Sequence, residues 1–200
     1  MPVELVLATH NAHKVAEFQR IIGERVPGAV VLPYDGPEPV EDGTSFAENA
    51  LIKARAAARH TGRLALADDS GVSVDVMGGA PGIFSARWSG TREDAANREL
   101  LLAQLADIRD GDRGAHFHCA IAIVSPDGVE EVVQGRWPGR IARAAAGANG
   151  FGYDPVFVPE GHETTAAELD PAEKDAASHR ARALAAAVPV IARLAADAPA

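Results

Sequence analysis

Two carboxylates stand side by side in Asp68-Asp69-Ser70-Gly71, directly after the apolar run Leu64-Ala65-Leu66-Ala67. Adjacent like charges at the end of a buried-type strand are costly unless something positive meets them. Mg²⁺ is the usual solution, because it takes oxygen ligands and bridges to phosphate oxygens. Successive strand residues point to opposite faces, so the two carboxylates are expected to have separate tasks. One can bind metal or activate water while the other orients the turn; an Asx-type turn with solvated aspartates is the plain alternative. Glu41-Asp42 forms a second acidic pair on the stretch Asp35 to Gly43, which carries Pro37 and Pro39. Such a loop can donate one more metal ligand or simply be solvated.

Groups that could meet a phosphate lie elsewhere. Val3-Glu4-Leu5-Val6-Leu7-Ala8 reads as a strand, and Thr9-His10-Asn11-Ala12-His13-Lys14 joins it to a helical pattern. A polar turn into the first turn of a helix aims free N–H groups and the positive end of the dipole at one spot, which suits an anion. Thr9 and Asn11 add side-chain hydrogen bonds and Lys14 a mobile charge. No Walker A pattern occurs, so the loop is not a P-loop. Asn49 and Lys53 are one helical turn apart on one face and can reach a phosphate or meet water.

Phe151-Gly152-Tyr153-Asp154-Pro155 sets aromatic rings beside glycine, which lets a flat base approach and stack; packing under a loop is the alternative. In Lys174-Asp175-Ala176-Ala177-Ser178-His179-Arg180, Ser178 reads as an N-cap. His179 and Arg180 then fall in the first helical turn, where a cation opposes the dipole unless it has a partner. His116 and His118 share a strand face with no obvious third ligand, which favours a structural or exposed role. Serine-hydrolase, zincin and thiol-redox patterns are absent.

The elements that must position these residues alternate. Helices are expected over about Ala12 to Val26, from Thr44 or Ser45 to His60, over about Thr91 to Ala106, and from near Ser178 with a kink at Pro189. Strands are expected at Ala29–Leu32, Leu64–Ala67 and Val72–Val76, with a hairpin of Phe117–Val124 and Val129–Val133 about Ser125-Pro126-Asp127-Gly128. Interleaved strands and helices with one hairpin imply α/β with a mixed sheet. The 200 residues suffice for one domain, in one lobe or two, and contain no repeat and no separating linker. A formal charge of -9 disfavours a long nucleic acid as partner but leaves small phosphates open through a local cluster of cations and a divalent metal. No apolar run approaches a membrane span, and the single Cys119 fits a reducing cytoplasm.

Taken together, Thr9-His10-Asn11-Ala12-His13-Lys14, Phe46-Ala47-Glu48-Asn49-Ala50, Ala67-Asp68-Asp69-Ser70-Gly71, Phe151-Gly152-Tyr153-Asp154-Pro155 and Ser178-His179-Arg180 resemble the inosine/xanthosine triphosphate pyrophosphatase family, the Ham1-like or RdgB-like proteins. The five motifs come in the family's order between residue 7 and about residue 184. The resemblance implies an elongated mixed β-sheet flanked by helices, in two lobes with the active-site cleft between them, formed by residues 1–200 as a single domain. It implies a Mg²⁺-dependent homodimer that hydrolyses ITP, dITP and XTP to the monophosphate and pyrophosphate. By the same resemblance Asp69 is the proton acceptor, and Asp69 with Glu41 holds the metal. The substrate would be bound by Thr9, His10, Asn11, Ala12, His13, Lys14, Lys53, Ser70, Phe151, Gly152, Tyr153, Asp154, Lys174, His179 and Arg180. The chain departs from the family at His10 and His13, where members commonly have glycine; a β-carbon at His13 is expected to narrow the phosphate pocket or restrict the backbone.

Water would attack the α-phosphorus in line, with Asp69 or Asp68 taking its proton and metal and lysines stabilising the leaving pyrophosphate. Donors from Ser178-His179-Arg180 would meet a 6-oxo group; adenine's 6-amino group would leave them unpaired. Rival readings are a Maf-like pyrophosphatase of other specificity, against which the Ser178-His179-Arg180 element speaks, and a non-catalytic nucleotide sensor, which has no need of Asp68-Asp69. A single-stranded RNA binder using Phe151 and Tyr153 fits poorly with the charge of -9.

Overall fold

The computed structural model describes residues 3–10 and 12–197, apart from the side chains of Val3, Ala12, His13, Glu17 and residues 195–197. Among the described residues six strands form one sheet: β1 (Val3–Leu7), β2 (Ala29–Pro33), β3 (Leu64–Val74), β4 (Gly114–Val124), β5 (Glu130–Ile141) and β6 (Phe157–Pro159). Their order is β2-β1-β3-β4-β5-β6. β1 runs parallel to both β2 and β3, whereas β6 is antiparallel to β5, so the sheet is mixed as its sequence implies. The helices are α1 (Ala12–Arg25), α2 (Phe46–Thr61), α3 (Asp94–Gln104), α4 (Pro171–Ala177) and α5 (His179–Asp197).

The chain divides into two compact units, and each long strand β3, β4 and β5 contributes to both. The first unit comprises the described parts of Met1–Asp69, Cys119–Gly135 and Arg182–Ala200. Its core sets Leu5, Leu7, Leu66 and Ile121 from the sheet against Phe18 and Ile22 of α1 and Leu184 and Ile191 of α5. The second unit comprises Ser70–His118 and Arg136–Ala181. Its core packs Val72, Val74, Phe117, Trp137 and Phe157 against Leu101 and Leu105. Each fully buried Leu, Ile or Phe side chain contributes about 1.5–3 kcal/mol relative to exposure.

Local signals set the ends of α2. Ser45 is its N-cap and accepts a hydrogen bond from the Glu48 N–H at 3.1 Å. The Glu48 carboxylate turns back to accept from the Thr44 N–H (2.6 Å) and hydroxyl (2.8 Å), and the Thr44 backbone and side-chain bonds hold its pKa below the usual carboxylate value. At the other end Gly62 takes a left-handed φ of 64°, a conformation in which a side chain is strained, and its N–H closes onto the Ala58 carbonyl. Replacing Ser45 by Ala is expected to destabilise the fold by about 1 kcal/mol, read as a lower denaturant midpoint at unchanged slope.

Two expectations about elements are corrected. β3 does not stop at Asp68 but continues through Asp68, Asp69, Ser70 and Gly71 to Val74. A short helix, α4, precedes Ser178; Asp170 caps it by accepting from the Ala172 N–H at 2.9 Å, and Pro171 takes its first position. α5 then runs on through Pro189.

Candidate active site

In the first unit the two adjacent carboxylates of β3 meet different cations. Asp68 is buried and receives the Lys14 ammonium of α1 on both oxygens, at 2.8 and 3.0 Å. Asp69 receives Lys53 Nζ on Oδ1 at 3.2 Å and Asn49 Nδ2 on Oδ2 at 3.3 Å, both from α2. This is the opposite-face division that β geometry requires, and it lets two charges persist inside a strand. Asn49 is itself buried, and its Oδ1 accepts from the Gly43 N–H at 3.0 Å, tying α2 to the acidic loop. Glu41 on that loop places Oε1 3.0 Å from the same Lys53 ammonium.

The charges of this cluster shape one another. Burial works against the Lys53 ammonium, but Asp69, Glu41 and Asp68 outweigh it and raise the lysine's pKa, so Lys53 stays charged. Asp69 moves upward: burial is the largest cause, the neighbouring Glu41 charge adds to it, and Lys53 and Asn49 oppose without cancelling it. A carboxylate with a raised pKa is a stronger proton acceptor than an exposed one. Asp68 is thus held by Lys14 on both oxygens, and Asp69 by Lys53 and Asn49 on one oxygen each.

The N-terminal loop is described in part. Thr9 follows β1 and its N–H donates to the Leu7 carbonyl at 2.7 Å. His10 turns to the acidic loop, with Nε2 3.1 Å from the Gly36 carbonyl and Nδ1 3.2 Å from Glu38 Oε1, and its ring stacks on Tyr34. Asn11 and the side chains of Ala12 and His13 lie outside the described residues.

The second unit gathers the aromatic and C-terminal motifs. Phe151 is 63% exposed, a large ring held in water. Lys174 Nζ of α4 lies 5.4 Å from its centroid and the Arg180 guanidinium of α5 lies 5.8 Å away. Buried Asp154 accepts the Phe151 N–H at 2.8 Å and pairs with Lys174. Gly150 is obligatory here: its φ is +75°, and a β-carbon would collide with Asp154 Oδ2 and Lys174 Nζ. Ser178 accepts the Ala181 N–H at 3.2 Å as the cap of α5, and His179 stacks on buried Phe117 at 4.8 Å and 11°. Ser70, half-buried, is the next residue of β3 after Asp69.

Tyr153 does not share Phe151's exposure. Its ring is buried in the second core and its hydroxyl donates to the Ser85 carbonyl at 2.8 Å. Burial, with Asp94 adding to it, pushes the phenol pKa up, so the hydroxyl remains a donor. Tyr153 thus anchors the loop from beneath, while Phe151 stays largely exposed beside Lys174 and Arg180. Sequence reasoning did not find Ser85, Asp94 and Arg98, which touch this loop. All three are far from it in the chain and carry no motif. His116 lies 3.8 Å from Asp75 and beside His118, and among the described residues no group of three or more His, Cys, Asp or Glu is arranged to hold a metal.

The sheet is mixed, its internal acidic pair is answered by helix-borne lysines in the first unit, and an exposed aromatic ring is flanked by cations in the second. The chain belongs to the Ham1 family, whose model matches residues 5–190. A protein of Leifsonia xyli subsp. xyli named dITP/XTP pyrophosphatase is 64% identical, covering 94% of this chain and 96% of its own. A HAM1 protein structure from Coxiella burnetii superposes with a TM-score of 0.88 at 43% identity, over 96% of this chain and 99% of that one. The structure of a nucleoside-triphosphatase / dITP/XTP pyrophosphatase from Mycobacterium abscessus gives 0.81 at 53% identity, over 94% and 100%.

Proposed function

We propose that this protein hydrolyses noncanonical purine nucleoside triphosphates (ITP, dITP and XTP) to the nucleoside monophosphate and pyrophosphate, removing them from the nucleotide pool. The names of relatives that match along nearly the whole chain support the substrate class. The observation that carries the chemistry is Asp69, a carboxylate with raised pKa that Lys53 and Asn49 hold in place.

Asp69 takes a proton from water as its oxygen adds to the α-phosphorus. The bond from that phosphorus to the bridging oxygen breaks, and pyrophosphate leaves with the electron pair. Thr9 to Lys14 and Lys53 bind the phosphates, and the lysines offset the charge that grows on the leaving group. Glu41 and Asp69 both aim an oxygen at one positive centre, the Lys53 ammonium. Such hard donors fit Mg²⁺, which is commonly held by one or two carboxylates with water and phosphate oxygens filling its octahedron. Glu41 and Asp69 would hold it, and bound there it would neutralise phosphate oxygens.

Phe151 stacks the base, and His179 and Arg180 donate to its 6-oxo group, with Ser70, Gly152 and Lys174 completing the substrate contacts; Tyr153 and Asp154, expected to touch the substrate, are buried and hold the loop from within. We place the enzyme in the cytoplasm as a homodimer of a single domain, on the resemblance. No helix among the described residues is long and apolar enough to cross a membrane.

Incubation of the purified protein with ITP, XTP, ATP or GTP and Mg²⁺, followed by product identification, tests the reading. Pyrophosphate and monophosphate are expected from ITP and XTP, with ATP left largely intact. Orthophosphate and diphosphate would overturn the site of attack, and no turnover of ITP or XTP the function.

A further inference from the structure

The loop that presents Phe151 is held from α3 by a grip on one residue. The Gly152 N–H donates to Asp94 Oδ2 at 2.8 Å, and the Gly152 carbonyl accepts from Arg98 Nη1 at 2.7 Å. Asp94 and Arg98 are one turn apart on α3, with the carboxylate at its N-terminal end, where the dipole favours it. Both polar groups of Gly152 are thereby engaged by ionised side chains, whose hydrogen bonds are roughly twice as strong as neutral ones. Gly152 has φ +59°, which glycine adopts without steric cost but among many alternatives, so contacts from outside must fix it.

α3 is itself well anchored. Buried Asn97 accepts from the Ser89 N–H at 2.7 Å and donates to the Ala86 carbonyl at 3.3 Å. Ser85, three residues before Trp88, accepts from the Val72 N–H at 3.0 Å and receives the Tyr153 hydroxyl on its carbonyl. Gly152 and Tyr153 are thus held from two directions by elements rooted in β3 and α3. Neither group has a steric need to be charged, since packing alone would suffice to cover a glycine. The charges make sense as a device that fixes the direction in which the preceding ring, Phe151, points.

We propose that Asp94 and Arg98 are positioning residues for base recognition: they grip the Gly152 peptide and so hold Phe151 in its stacking orientation. The inference rests on the proposed role of Phe151 as the base platform. Asp94→Ala and Arg98→Ala are each expected to raise KM for ITP about tenfold while kcat changes less than about twofold, because the lost interaction is one of binding and not of the reacting centre. Asp94→Asn, which keeps an acceptor oxygen, is expected to recover most of the loss. In a Phe151→Ala background the further change from Asp94→Ala is expected to vanish, since the grip acts through that ring. Additive KM effects in that background would overturn the proposal, as would unchanged KM in both alanine variants.

Peptide-level hydrogen exchange provides a second readout that needs no substrate. Peptides covering residues 150–156 are expected to exchange faster in Asp94→Ala and Arg98→Ala, with α5 and β4 unchanged. Unchanged exchange in that segment would also overturn the grip. If the wild-type protein fails to cleave ITP, the proposed function fails, and the exchange comparison still decides whether the grip exists.

Discussion

An Asp69→Asn variant is expected to lose turnover of ITP by a factor of about 10² to 10⁴, the range a positioned general base contributes, while still binding the nucleotide. The amide is nearly isosteric and can retain the contact with Asn49, which lies 3.3 Å from Oδ2, so the fold has little reason to change. Binding should persist because Lys53 keeps Glu41, 3.0 Å away, and because one negative charge fewer lies where phosphates must sit. The loss should therefore appear in kcat, measured by pyrophosphate release, and not in calorimetric titration with ITP. Asp68→Asn makes the informative contrast. That residue is spent on Lys14, at 2.8 and 3.0 Å, and its loss should disturb the lysine and raise KM more than it lowers kcat. Full activity in Asp69→Asn, or equal collapse of kcat in both variants, would remove Asp69 from the role of base.

The division between Asp68 and Asp69 shows where one-dimensional reading stops. The acidic pair reads as the end of a strand because two charges in sequence look incompatible with a buried element. In three dimensions each finds a cation from a different helix, so the backbone keeps its ladder through Asp68 and Asp69 to Val74. Those partners are 54 and 16 residues away, and nothing local announces them. What is local reads well: the Ser45 cap, the left-handed stop at Gly62, and Ser178 before the first-turn cations of α5 are interactions within four residues. The signal for α4 was also local, an Asp-Pro pair at Asp170 and Pro171, but a seven-residue helix without an apolar period of its own gives periodicity little to work on. Phe151 and Tyr153 look equivalent as aromatic residues beside glycine. Only the packing separates them, one ring exposed and the other buried on Ser85.

Arg113→Ala is expected to be the most destabilising single change in the second unit, by about 3–5 kcal/mol. The side chain is 2% exposed and forks among three backbone carbonyls: Nε donates to Ile141 at 2.8 Å, Nη2 to Ala142 at 2.8 Å, and Nη1 to Leu105. Those carbonyls belong to the last residue of β5, the residue after it, and the cap of α3. Burial, together with the nearby Arg143 charge, lowers the guanidinium pKa against the pull of Asp110, but an arginine so strongly basic remains a cation. Truncation would remove three donors, orphan the carbonyls they satisfy and leave a cavity, and these penalties act together. For a chain of this size the melting temperature should fall by roughly 2–4 °C per kcal/mol. Arg113→Met separates the causes, because it fills most of the volume but supplies no donor. Arg113→Lys supplies one compact ammonium where a planar fork is needed, so it should recover only part of the loss. If Arg113→Met were as stable as the wild type, the fork would be a matter of packing alone. Because the same fork fixes the C-terminal end of α3, whose first turns carry Asp94 and Arg98, any surviving Arg113 variant should also show a raised KM for ITP. That second effect would tie the frame of the second unit to the aim of its exposed ring.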